Sequence, residues 1–470
     1  MIRFEEIPVS NTGIRFGKLV LDGSLSYSFP AMAPVSVKNY DMDSIRQLES
    51  EGAKFPILLS PLRHRHIVRN MTSTYIFTDD GNVIGELKDK KKPLLFPDVE
   101  SEIFSFNNTA REEYLNQGGI PKAVEEILLR TGLTDIKRDT PERSLREYIG
   151  AWEEFSKLRL LPLLRNYVAK MQSELGSPIF FAPTPLIRVG NGSLEKAFLY
   201  GKQMLHSFQA HSFQGFGIHF LVDSQLFGQE SEAEEHRHLL VNNVAKLGNN
   251  AEQSFTNFPF VSLKVYDPKG LLIHGPQAST YRKKLSSTLI ALSENVRSIN
   301  GMFIVHNFGN WGLGAIDSGA DLTSFRTDSK PFYIDNFFHR RTSKDSNKKP
   351  SKAKANPVVR ISNSVNPFDP QALSDGDLKD YKTMWKNTRT FPHPPHVRAE
   401  PWWERKKEEG SRYRTRVIID SLMELDREIR EMPNSDIPIT DSIISRVSRM
   451  SEQDPMSDLC PSLRYRFARR

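Results

Sequence analysis

Residues 304–325 read IVHNFGNWGLGAIDSGADLTSF: a short apolar strand ends in His306-Asn307, a glycine-rich turn follows, and a small helical segment leads into Gly319-Ala320-Asp321. Polar side chains and glycines gathered where a strand ends are how parallel α/β enzymes assemble a site. His306 has the chemistry to exchange a proton, Asn307 can fix a polar edge, and Gly309 lets a ligand approach the backbone. Asp223, at the end of an expected strand, is a carboxylate with the chemistry of acid/base work. Polar residues and glycines at strand ends also close turns and cap helices, and the sequence leaves that use open at each of these positions.

The elements that must position these groups alternate along the chain. FPAMAPV (29–35) and FPILLSPL (55–62) read as strands, separated by a helix over 41–52 that stops at Gly52. YIFTDDGNVIGEL (75–87) reads as a hairpin around Asp80-Gly81, and 144–175 as a long amphipathic helical region. Strands at 178–187, 217–224, 258–267 and 302–308 then alternate with helices near 193–209, 231–247 and 278–298. Successive β-then-α units with nearly continuous apolar strands predict a buried parallel sheet. Their number, and the absence of GxGxxG after a first strand, favour a (β/α)8-type TIM barrel over an open doubly wound sheet. On that reading the rim carries Thr184, Arg188, Asp223, Ser224, Asp267, His306 and Asn307.

At 470 residues, 38% of them apolar and without a run of 18 apolar residues, the composition is that of a polar chain with no expected membrane span. The first residues lack a basic-then-apolar signal layout, so the expected compartment is cytoplasmic. The single cysteine, Cys460, excludes an internal disulfide framework and a multi-cysteine zinc site. His64-Arg65-His66 and His236-Arg237-His238 space their imidazoles at i, i+2 with no third ligand to complete a metal set, so no metal is expected. GNWGLG (309–314) and GNG (190–192) lack the Lys-Ser/Thr of a phosphate-binding loop, and no cofactor is expected either, although amides in such turns can hold a phosphate.

Charge separates the chain into two parts. Residues 326–470 hold 29 Lys+Arg against 21 Asp+Glu, whereas the first 325 hold 35 against 36. HRRTSKDSNKKPSKAKAN (339–356), with Arg340, Arg341, Lys348 and Lys349, reads as a flexible basic loop, and the Pro-rich run at 391–403 as an extended segment. Trp402 and Trp403 beside Arg405 and Lys406 combine ring faces with cations, the combination that stacks on unpaired bases and contacts phosphates. The organisation expected is therefore a barrel over 1–338, a basic and Pro-rich linker over 339–400, and a small helical appendage over 401–470. Apolar residues spaced helically through 416–432 predict a helix that packs on the barrel or forms part of that appendage.

GKL (17–19) leading into FPAMAPV (29–35), then a helix and a second apolar strand, resembles the opening of the tRNA-guanine transglycosylases and their DNA-directed 7-deazaguanine relatives. HNFG (306–309) followed by GAD (319–321) resembles a late-barrel motif of the same family. The resemblance implies a (β/α) barrel that exchanges guanine for a 7-deazaguanine base in tRNA or DNA, using an aspartate nucleophile and a second aspartate as acid/base. It assigns His306, Asn307, Gly309 and Ser324 to the substrate pocket. Asp321, with Asp79 in TDDG (78–81) or Asp223, would carry the chemistry. Ser324 stands three residues past Asp321, where the family has its nucleophile, and the family's cysteine-rich zinc site is absent. Two other readings stay open: a non-catalytic subunit that binds nucleic acid or a catalytic partner, and an unrelated barrel enzyme for a small phosphorylated substrate. A nucleic acid is the expected partner, with a small-molecule base and a second copy of the chain as further ones.

Overall fold

Strands that are apolar on both faces must be covered on both, and these are. The computed structural model describes residues 2–7, 14–21, 25–36, 57–59, 75–77, 83–86, 95–97, 149, 152–154, 161–174, 178–190, 192–205, 213–247, 259–267, 269–272, 276–306, 308 and 312–326. Strands β1 (Arg3–Ile7), β2 (Phe16–Leu21) and β3 (Leu25–Phe29) form an antiparallel sheet in that order. A larger sheet takes β4 (Ala31–Ser36), β5 (Ile57–Leu59), β8 (Leu95–Pro97), β9 (Ile179–Pro183), β10 (Gly215–Asp223), β11 (Pro259–Tyr266), β12 (Met302–His306) and β13 (Leu322–Arg326). Between β5 and β8 lies an antiparallel pair, β6 (Tyr75–Phe77) with β7 (Val83–Glu86), as the turn dipeptide predicts.

The eight-stranded sheet runs β8-β5-β4-β13-β12-β11-β10-β9 with parallel pairings, so β13 returns to lie beside β4. A closed barrel requires β8 to meet β9 as well, and no such pairing occurs among the described residues. The fold is α/β, with α1 (Leu161–Glu174), α2 (Ser193–Leu205) and α4 (Ala278–Ser298) packed against one face of the sheet and α3 (Ser231–Ala245) packed against α2 and α4. α4 shows why: Leu285, Leu289, Leu292 and Val296 recur at helical spacing and are buried. α2 approaches the sheet closely because Gly201 has no side chain; a Cβ there would press on Thr184 and Ile218 at 3.2 Å.

The other face of the sheet packs on the antiparallel sheet. Leu19, Leu21, Tyr27 and Phe29 meet Ala31, Ala33, Ile179, Phe181, Phe260, Met302, Ile304 and Leu322 in one buried cluster. Gly217 makes room within it: an added Cβ would lie 2.8 Å from the Phe181 ring and 2.7 Å from the Phe260 carbonyl. Phe181 and Phe260 meet edge to face there, 6.1 Å between centroids.

The sequence reading did not include β13 or β8. After β12 the chain makes one short helix, α5 (Gly312–Asp317), which ends at Gly319 with φ +97°. The Gly319 N–H reaches the Ile316 carbonyl and the Ala320 N–H reaches Ala315, the pattern of a glycine-terminated helix. The chain then enters β13 directly at Leu322. The helix expected over 41–52, the basic segment 339–400 and the appendage 401–470 lie outside the described residues.

Candidate functional site

Register aligns residues of the central strands into rows on one face of the sheet. Phe181, Gly217, Phe260 and Met302 form one row. Next toward the strands' C-terminal ends come Pro183, His219, Ser262, Ile304, Leu322 and Ala31. The row above holds Leu221, Lys264 and His306, with Ser324 and Ala33 paired on the adjoining strands. Ser324 follows Leu322 by two residues and so shares its face. Polarity therefore rises along the strands: aromatic and aliphatic below, histidine and serine in the middle, lysine and histidine nearest the C-terminal ends.

Ser262 joins two of these rows. Its Oγ lies 2.6 Å from His219 Nδ1 and 2.7 Å from His306 Nε2. The two imidazoles meet edge to face at 5.2 Å. Burial holds the His219 imidazole well below its ordinary range, with the charges of His306 and Lys264 adding to it. Burial and then Lys264 push His306 down to about 3. Both rings are thus neutral near pH 7, and one must donate N–H to Ser262 while the other accepts its O–H. His219, Ser262, Lys264 and His306 are each at most 2% exposed. A buried cation above a neutral imidazole–hydroxyl–imidazole chain can hold an anionic or electron-rich group and can pass a proton without carrying net charge.

Carboxylates at this end of the sheet are tied into turns. Asp223 ends β10; its Oδ1 accepts from the Gln225 N–H at 2.9 Å, and its Oδ2 faces Arg188 Nε at 3.7 Å. Burial raises the Asp223 carboxyl, opposed by that N–H and by Arg188. Asp267 accepts from Ser224 Oγ at 2.7 Å and from the backbone N–H groups of Leu271 and Leu272 at 2.8 and 3.0 Å, which fixes the turn after β11. Thr184 donates to the His219 carbonyl at 3.0 Å.

Asp321 does not lie at this rim. It precedes β13, its carboxylate accepting from the Phe303 N–H at 2.8 Å, so it lies at the N-terminal ends of the strands. His306 is the last residue of β12, three residues beyond Phe303, which separates the two by about 10 Å along the strand direction. Asp321 and His306 therefore cannot line one pocket, because β13 starts at the edge where the sequence reading placed a rim turn. Burial pushes Asp321 up to about 6, against the pull of Arg15, the Phe303 N–H and Arg297. Burial prevails because Asp321 Oδ1 lacks a hydrogen-bond partner and Arg15 Nη1, 3.7 Å away, donates instead to the Gly301 carbonyl.

Of the other expected site residues, Asp79, Asn307, Gly309, Arg340, Arg341, Lys348, Lys349, Trp402, Trp403, Arg405 and Lys406 lie outside the described residues, as does Asp328. Ser324 is fully buried on the face described. The sequence reading missed His219, Ser262 and Lys264. Their signal was present: single polar residues at alternate positions of GFGIHFLVD and PFVSLKVY, where a doubly covered strand should have none. Among the described residues no cluster of His, Cys, Asp and Glu has the spacing to hold a metal, and no helix is long and apolar enough to cross a membrane. In comparisons with known proteins, the chain matches no family model and no curated sequence.

Proposed function

We propose that the chain is a nucleic-acid-directed (β/α) barrel of the transglycosylase type that holds one nucleotide at the C-terminal mouth of its strands, without exchanging its base through a carboxylate. The observation that carries this reading is the buried set His219–Ser262–His306 with Lys264, on the sheet face shared by Ser324. Support for the barrel comes from strand order: within the large sheet every strand but β9 lies beside the sheet strand that precedes it in the chain, and β13 rejoins β4. Closure would need one further pairing, β8 with β9. The hairpin β2–β3 running straight into β4 fits the opening of the family that the sequence resembles.

The reading without base exchange rests on the carboxylates among the described residues. A covalent glycosyl intermediate needs an anionic nucleophile at the sugar, and the position that would supply it carries the neutral hydroxyl of Ser324. Asp321 is committed to the opposite ends of the strands, and Asp223 and Asp267 hold turns. What remains is recognition. Lys264 attracts the nucleotide's negative charge, and the neutral His306 ring, in register with it, offers a hydrogen bond and a flat face. The basic C-terminal third supplies the sequence-independent attraction to phosphate.

The test combines binding with labelled-guanine incorporation on tRNA and on duplex DNA. The expected outcome is salt-sensitive binding to at least one of them with no label in the purified nucleic acid. Label that stays through purification would establish base exchange and overturn the proposal. Failure to bind either would remove the nucleic-acid assignment altogether.

A further inference from the structure

A second candidate site lies outside the sheet, between α2 and the helical residues 149 and 152–154. A cavity of about 360 Å³ is lined there by Trp152, Glu153, Leu186, Arg188, Lys196 and Tyr200, among others. One wall is apolar: Trp152 and Tyr200 stack with centroids 5.9 Å apart and planes 8° from parallel, beside Leu186 and Pro185. The cations Arg188 and Lys196 also line the cavity.

The loop before α2 fixes Arg188 in place. Its backbone N–H donates to Ser193 Oγ at 2.8 Å, and that hydroxyl donates back to the Arg188 carbonyl at 2.7 Å. The loop turns through Gly190 (φ +80°) and Gly192 (φ +58°), a backbone suited to glycine. The Gly190 N–H is tied to His236 Nε2 at 3.2 Å. Arg188 thus has a set position before any ligand arrives. Its Nε faces Asp223 at 3.7 Å, while neither Nη has a hydrogen-bond partner among the described residues. Lys196 is drawn to Glu153 at 3.4 Å, a half-exposed pair that an incoming anion can displace.

We infer that this cavity binds a small anion, one phosphate or carboxylate group on a flat, ring-sized apolar body. The Arg188 fork would take the anionic group in bidentate fashion, with Lys196 as second cation. The Trp152–Tyr200 wall would cover the ring. The volume suits one such molecule and excludes a folded polymer. This site is independent of the nucleotide mouth: Lys264 belongs to the other face of the sheet.

Calorimetric titration of the full chain with guanosine monophosphate, 2-naphthoate, guanosine and inorganic phosphate tests the inference. At least one of the two ring-bearing anions should bind in the micromolar range. Guanosine and phosphate alone should bind at least tenfold more weakly. Arg188→Gln and Lys196→Gln should each weaken binding at least fivefold. Lys196 is exposed on α2, so its substitution keeps the test valid even where Arg188→Gln misfolds. Absence of binding by both anions, or binding indifferent to Lys196→Gln, would overturn the inference.

Discussion

Ser262 has one hydroxyl proton to share between two imidazole nitrogens. Replacing it with alanine leaves two buried ring nitrogens without that partner, which costs roughly 1–3 kcal/mol. Urea denaturation of Ser262→Ala should show that loss, and an unchanged midpoint would contradict the hydrogen-bonded chain. Protonation gives a second handle. An unfolded His306 takes up a proton near its ordinary pKa of 6.5, whereas the folded one stays neutral down to about 3. The unfolded state therefore binds more protons in that window, and this residue's contribution to stability, full above 6.5, is lost as pH falls. His306→Gln should flatten the acid side of the stability curve relative to wild type. Asp321 acts in the opposite sense. Its folded pKa is raised from 3.8 to about 6, so its contribution is fully present below about 4 and is lost as pH rises through 6. By that shift wild type should lose roughly 3 kcal/mol relative to Asp321→Asn between pH 4 and pH 7. A constant difference between the two proteins across that range would show that the buried carboxyl is not strained by its charge.

Elements were legible where pattern and burial agree. Helix α4 follows from apolar residues at helical spacing and strands β10, β11 and β12 from mostly apolar runs, and their buried faces match. β13 was hidden because LTSFR places threonine and serine on a strand too short to show a period, and because only a six-residue helix precedes it. That miss moved Asp321 from one end of the sheet to the other. The site was legible in part: His306 was identified from its place at a strand end. Lys264 and His219 needed the pairing of three strands before their shared face could be seen. Packing at the element scale makes its own prediction. Gly217→Ala puts a methyl against the Phe181 ring and the Phe260 backbone, and the backbone cannot yield. The expected loss is about 1–3 kcal/mol by thermal or urea unfolding. A neutral outcome would mean that β9 and β11 are not held as closely to β10 as described.

At the scale of the molecule, chemistry is segregated along the strand direction. The antiparallel sheet β1–β3 buries the aromatic and aliphatic rows, and the polar rows lie toward the opposite ends of the strands. Of the carboxylates expected to do covalent work, Asp223 holds a turn and Asp321 lies at the opposite ends of the strands, while Lys264 stands beside His306 on the shared face. The excess of basic residues after position 326 supplies a long-range attraction that should weaken steeply with salt. The most direct measurement is the affinity of wild type and Lys264→Met for tRNA and for duplex DNA across a salt series. The account predicts a tenfold or greater loss on removing Lys264, with the salt slope changed by no more than about one unit. Equal affinities for the two proteins would contradict a nucleotide held at this mouth.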